Sequence, residues 1–234
     1  MKNIKLLFIL TILLVFASYT QGQTIQQMLV HSHGDILINT NLSGSDTITF
    51  SRFTVPNNAT GVLINGVVWA TCNVNKPGEF ASHPSEAGMF YQWNRKVGWS
   101  STDPLVNHEG GTTWDDSTPE GDTWEKENDP CPTGWRVPNL VEIESLANSG
   151  SFWGELNGVS GLFFGNSDQR VFLFAAGYRS YGGLLYHTGK YGYYWSSTSY
   201  NSEEASRLIF GSKAAGIGGT SSRPDGHSVR CVLE

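Results

Sequence analysis

The residues with the most chemical potential lie between Ser100 and Asp129. Asp115, Asp116, Glu120, Asp122, Glu125, Glu127 and Asp129 crowd this stretch, and Trp99, Trp114 and Trp124 stand in or beside it. Carboxylates on a long loop are the oxygen donors that Ca²⁺ takes. The spacing fits no twelve-residue EF-hand loop, so Asp115, Asp116 and Asp122 are candidate Ca²⁺ ligands outside any known pattern, and a merely solvated acidic loop is the alternative. Tryptophan faces flanked by carboxylates and amides suit sugar rings, whose C–H faces stack while their hydroxyls take hydrogen bonds. The same residue types anchor protein interfaces. The candidate ligand-binding set is therefore Trp99, Trp114, Trp124, Asp115 and Asp116, with loop packing as the competing role for the rings. His31 and His33 make a His-x-His pair, which alone is an incomplete metal site.

Covalent catalysis has less to stand on. The chain holds no Gly-x-Ser-x-Gly, no His-Glu-x-x-His and no phosphate-cradling glycine loop. Glu203-Glu204 are neighbours, and neighbours on a strand point to opposite faces. The expectation is a binding protein and not an enzyme.

Three cysteines limit the chain to one internal disulfide. Cys131 sits in a Pro-rich turn, Cys231 in the last strand-like segment, and Cys72 in the apolar run Val67–Cys72. The reading pairs Cys131 with Cys231 and buries Cys72 as a free thiol. Closing a loop of this length stabilises a fold by roughly 4–5 kcal/mol on the chain-entropy model.

The elements that must hold these residues follow from the patterning. Lys2 and Lys5, an apolar run from Leu6 to Phe16 and a small polar exit read as a secretory signal peptide, residues 1–22, with cleavage after Gly22. A retained anchor is the alternative, although the run falls short of the roughly 20 residues a span needs. No later segment is apolar enough to span a bilayer as a helix, and the expected location is secreted or on the outer cell surface. The formal charge is −6 and charged residues are only 15% of the chain, against 27 Gly and 8 Trp. A mildly acidic chain without basic clusters argues against nucleic acid as partner. Low charge with many aromatics predicts a loop-rich extracellular β protein.

Residues 23–60 read as an N-terminal arm or short hairpin built on Ile36–Ile38 and Asp46–Phe50. The compact domain is placed at 61–234, opening with Val62–Ile64 and Val67–Trp69 across an Asn65-Gly66 turn. Further strands are expected at Met89–Trp93, Val171–Ala176, Gly192–Ser197, Ala205–Phe210 and Ser228–Leu233. A single helix follows Asn139, with Glu142 as its capping-box partner and Leu140, Ile143 and Leu146 on one face.

Five blocks in order, Gly66–Val74, Asp129–Pro138, Ala175–Arg179, Tyr194–Thr198 and Ser228–Val232, resemble the Fibrobacter succinogenes major paralogous domain, a family of secreted and surface proteins of Bacteroidota and Fibrobacterota. The resemblance covers residues 61–234. It implies an α+β, C-type-lectin-like fold: a small twisted antiparallel sheet, one or two helices and long loops. The family's paired cysteines correspond to Cys131 and Cys231. The calcium and sugar triplets of calcium-dependent lectins are missing here, since Trp195 is followed by Ser196-Ser197. The implied function is an adhesion module recognising a glycan or a surface protein. A structural component of a surface assembly, with residues 23–60 donating strands, is the first alternative, and a lectin-fold enzyme the second.

Overall fold

A computed structural model describes residues 27–32, 35–40, 51–53, 61–166 and 169–234. The signal peptide and the expected strand at Asp46–Phe50 lie outside these residues. The chain divides into two compact units, residues 1–55 and 56–234.

In the first unit, β1 (Gln27–Ser32), β2 (Asp35–Thr40) and β3 (Ser51–Phe53) form an antiparallel sheet in that order. Its register sets Leu29 opposite Ile38 and His31 opposite Ile36.

The second unit is assembled from four small antiparallel sheets. Strands β4 (Gly61–Ile64) and β5 (Val67–Ala70) make a hairpin whose turn holds Asn65 and Gly66 at φ 50° and 84°. Both values are left-handed, as a two-residue turn between twisted strands requires. β18 (Val232–Leu233) joins this hairpin to β8 (Trp135–Arg136), so the last strand of the second unit closes on its first hairpin. The Cys131–Cys231 disulfide lies at this seam. Cys72 falls just past β5 and is half-buried, not buried as the apolar run suggested.

β6 (Met89–Gln92) and β7 (Gly98–Ser100) share a sheet with β12 (Tyr178–Arg179), β13 (Leu185–Tyr186) and β17 (Gly226–His227), ordered β13-β12-β17-β6-β7. The third sheet is β9 (Ser151–Leu156), β10 (Val159–Gly165) and β11 (Arg170–Phe174). The fourth is a long meander of β14 (Tyr191–Ser199), β15 (Glu204–Gly211) and β16 (Ala214–Ser222). The helix α1 (Leu140–Ala147) carries the expected capping box between Asn139 and Glu142 and buries Ile143 and Leu146.

The architecture corrects the fold class. Eighteen strands and one eight-residue α-helix make the described residues a β-rich fold, not the α+β, C-type-lectin-like one that the resemblance implied. The physical reason is that residues 150–222, beyond the one amphipathic segment, are rich in aromatics, β-branched residues and glycine. These favour pleated half-buried surfaces over helix. Residues 101–125 hold no strand longer than an isolated bridge, and a single 3-10 turn follows at Lys126–Asn128.

The apolar core joins Ile64, Trp69, Ile143, Leu162, Leu173, Tyr194, Leu208, Phe210 and Val232. β14 spans its edge. Tyr194 turns inward and stacks on Phe210 at 5.9 Å. Gly192 lies so close to Phe210 that a Cβ would meet its ring at 2.1 Å. Tyr191, Tyr193 and Trp195 alternate with these residues and so occupy the other face.

Buried arginines do much of the work that regular structure does elsewhere. Arg230 is fully buried and donates to the carbonyls of Ala70, Thr71 and Phe172 and to Asn73 Oδ1. Arg179 is equally buried and donates to the carbonyls of Ser100, Thr102 and Gly183 and to the Asp103 carboxylate. The rigid five-donor fork suits this role, because each orphan carbonyl in an irregular loop needs a donor.

Candidate functional site

The loop chosen from the sequence turns out to be packed down by its tryptophans. Trp99 and Trp124 are buried. Trp124 meets Trp93 edge-on at 6.1 Å and donates its Nε1–H to the Asn128 carbonyl. Trp99 packs on the half-buried Trp114 at 4.9 Å. Rings held this way present no open face to a sugar, so the ligand-binding assignment for Trp99 and Trp124 gives way to packing. Asp115 stays exposed, paired with Arg95 at 2.7 Å and accepting from the backbone N–H and hydroxyl of Ser117. The Ser117 hydroxyl, with the Ser117 N–H and Arg95 beside it, holds its carboxyl below the usual range. Asp116 and Asp122 are exposed. Among the described residues no group of three or more His, Cys, Asp or Glu side chains is placed to hold a metal ion. Asp115, Asp116 and Asp122 thus do not converge.

A groove of about 520 Å³ runs beside the buried Trp124, between Lys126, Asp129, Arg136, Asn139, Ser197 and Glu234. Its charges are already engaged. Arg136 grips Glu142 with two bonds of 2.6 and 2.8 Å, Lys126 pairs with Glu234, and Asp129 caps the N–H groups of Cys131 and Val137.

A different region brings aromatic rings to the surface. Tyr186 and Tyr191 are each about two-fifths exposed, and Tyr181 and Leu184 roughly two-thirds. Behind them Tyr178 lies 5.8 Å from Tyr186 and 4.6 Å from Tyr193, ring centre to ring centre. The exposed His187 ring bridges the set at 5.2 Å from Tyr191 and 5.9 Å from Tyr193, and its Nδ1 lies 2.7 Å from the Tyr193 hydroxyl. Beneath, the buried His227 stacks on Trp195 at 3.9 Å and approaches Tyr193 at 5.4 Å.

Local structure explains how this face is held. Tyr191, Tyr193 and Trp195 share it by strand alternation. The β12–β13 turn that carries Tyr181 and Leu184 is pinned by the Arg179 guanidinium on the Gly183 carbonyl at 2.7 Å. His187 takes a left-handed φ of 60°, unusual for a side-chain-bearing residue. Gly177 sits so near the Tyr186 carbonyl that a Cβ would come within 2.1 Å of it. That close approach docks the Tyr186-His187 segment against the sheet.

Charge lies at the edge of the face. Arg207 projects from β15 opposite Trp195, with its Cζ 5.2 Å from the Tyr193 ring centre. Burial pushes its pKa down. Burial drives the Tyr193 phenol up to about 12 and the Asp225 carboxyl up to about 6, although Arg207 opposes both. Burial also holds His227 well below the ordinary imidazole value, so it is neutral.

The sequence pattern predicts a strand at Gly192–Ser197 and does not single out this face. The signal was present in Tyr191-x-Tyr193-x-Trp195, a period-2 run whose intervening residues Gly192 and Tyr194 serve the core. Its exposure was not readable, because that depends on what covers the strand.

A family model described as a domain of unknown function, DUF8237, matches residues 161–232. No curated protein and no solved structure gives a match to the chain. Three of the five sequence blocks, and the whole tyrosine face from Tyr178 to His227, lie within the matched segment.

Proposed function

We propose that this protein is an extracytoplasmic binding module, not an enzyme, and that it recognises a glycan on the tyrosine face. The exposed rings of Tyr186 and Tyr191, braced by Tyr178, Tyr193 and His187, carry the reading. Tyrosine offers a large rigid contact area with a polar edge, and the C–H face of a pyranose stacks on such a ring while its hydroxyls reach phenol and imidazole groups. Contiguous exposed apolar surface on a folded domain marks an interaction site. The disulfide supports an oxidising compartment, in keeping with the secretory reading of the N-terminus. Membership of the Fibrobacter succinogenes major paralogous domain family is part of this proposal and rests on the five sequence blocks.

The test is a broad glycan array probed with residues 23–234, with Ca²⁺ and with a chelator. Binding weakened at least tenfold by Tyr186→Ala with Tyr191→Ala, and unaffected by Asp115→Ala, is the expected result. A blank array, or binding that survives the double tyrosine variant, overturns the reading.

A further inference from the structure

We infer that the glycan taken on the tyrosine face is acidic, with its carboxylate received by Arg207. The inference rests on the binding reading above and deepens it.

Arg207 stands apart from the other arginines of the second unit that have been described. Arg95, Arg136 and Arg179 each meet a carboxylate, Arg230 is held by carbonyls and an amide oxygen, and Arg223 commits both Nη atoms to the Pro119 and Asn201 carbonyls and leaves only its Nε without a partner. Arg207 spends only Nε, on the Thr220 carbonyl at 3.0 Å and the Ser221 hydroxyl at 2.6 Å. Its Nη1 is buried without a partner. Among the described residues no carboxylate lies within ion-pair distance of it. Two bonds at Nε fix the plane of the guanidinium against Tyr193, which orients the fork and leaves it without a direct ion pair among the described residues.

A second unpartnered group lies in the same cluster. His227 is completely buried, and neither of its ring nitrogens has a partner. It packs against Trp195, Tyr178 and Tyr193, one ring in from the exposed surface. Being neutral, it does not repel the arginine, and it contributes no counter-charge either.

Buried polar atoms are ordinarily satisfied. An oriented guanidinium with no described carboxylate within ion-pair distance, at the edge of stacked tyrosines, is complementary to a ring that carries a carboxylate. A uronic acid has that form: a C–H face to stack and a planar carboxylate for the fork. Lys190, exposed beside Tyr191, adds a cation to this rim on a chain that is otherwise acidic. Asp225 and Glu204 are the opposing charges near Arg207, both beyond ion-pair distance, and the Asp225 carboxyl accepts the Tyr181 N–H.

The experiment titrates the full secreted chain with oligomers of galacturonate and of mannuronate, each beside its carboxyl-reduced form, and with an oligoglutamate peptide. We expect an acidic oligosaccharide to bind at least tenfold more tightly than its reduced form, and added salt to erode that difference. Arg207→Gln should bring the two forms to equal affinity. Should that variant fail to fold by near-ultraviolet circular dichroism, Arg207→Lys and the wild-type acid-to-reduced ratio decide the matter. Equal wild-type binding of acid and reduced forms overturns the carboxylate role and leaves the tyrosine face standing. So does binding of neutral array sugars when both uronates fail. Oligoglutamate binding as tightly as the uronates overturns the sugar assignment, and no glycan binding of any kind overturns both readings.

Discussion

Two aromatic regions of one domain are put to opposite uses. Around residues 93–128 the tryptophans are turned inward, where Trp124 packs on Trp93 and Trp99 on Trp114. Across residues 178–193 Tyr181, Tyr186 and Tyr191 stand in the open, while the half-buried Tyr178 and buried Tyr193 lie behind them. The first region has only the three-residue strand β7, so its large rings do much of the packing and its backbone is satisfied by Gln92, Asn94, Arg95, Arg179 and Arg223. The second lies on ordered strands whose opposite face already serves the core through Tyr194 and Gly192. Its outward rings are therefore not needed for folding. A ring freed from that duty is available for a ligand.

This contrast has consequences that can break it. Trp124→Ala should cost about 3–5 kcal/mol in urea unfolding, the range for a large buried aromatic. A loss below about 1 kcal/mol would return Trp124 to the candidate ligand set.

The charged floor of the tyrosine face gives an intermediate effect, read as stability against pH. His227 has a folded pKa well below its unfolded value near 6.5. Its contribution is present above pH 6.5 and lost as pH falls below it, by roughly 1.4 kcal/mol per pH unit. Asp225 acts oppositely. Its pKa rises on folding from 3.8 to about 6, so the folded state gains stability as pH falls between those values. Because Asp225 is partly exposed, that gain is discounted to about 1–2 kcal/mol. Asp225→Asn should therefore be the more stable form at pH 7.5 and lose stability more steeply between pH 6 and pH 4. Parallel melting curves for the two proteins across that range would remove Asp225 from the cluster.

The smallest effects should come from the exposed groups. Asp115→Asn and Tyr186→Ala should each change unfolding free energy by no more than about 0.5–1 kcal/mol, since one breaks an exposed ion pair and the other trims a partly exposed ring. A larger loss at Tyr186 would mean that the face is structural after all.

Much of the framework was legible in the residues. Asn65-Gly66 predicted the opening hairpin, and Asn139 with Glu142 the capped helix. The positions of Cys131 and Cys231 predicted the bond that now closes the domain. Each is a local rule, a φ preference, a cap or a thiol count, and needs no knowledge of distant neighbours. The strands β9, β10 and β16 were not anticipated, because Gly-rich segments carry a weak period-2 signal and are fixed by their pairing partners.

The sequence by itself also determined that a chain with few charged residues would have many large aromatic rings to place. Only the tertiary structure decided which of these rings are spent. Burial depends on what covers a side chain, and the covering groups here are remote in sequence: Ser196 accepts from the Trp93 indole, and Arg223 lies over its ring. Aromatic composition is a local property, whereas exposure is set by contacts across the whole fold. Tyr191 is therefore left open while Trp124 is closed.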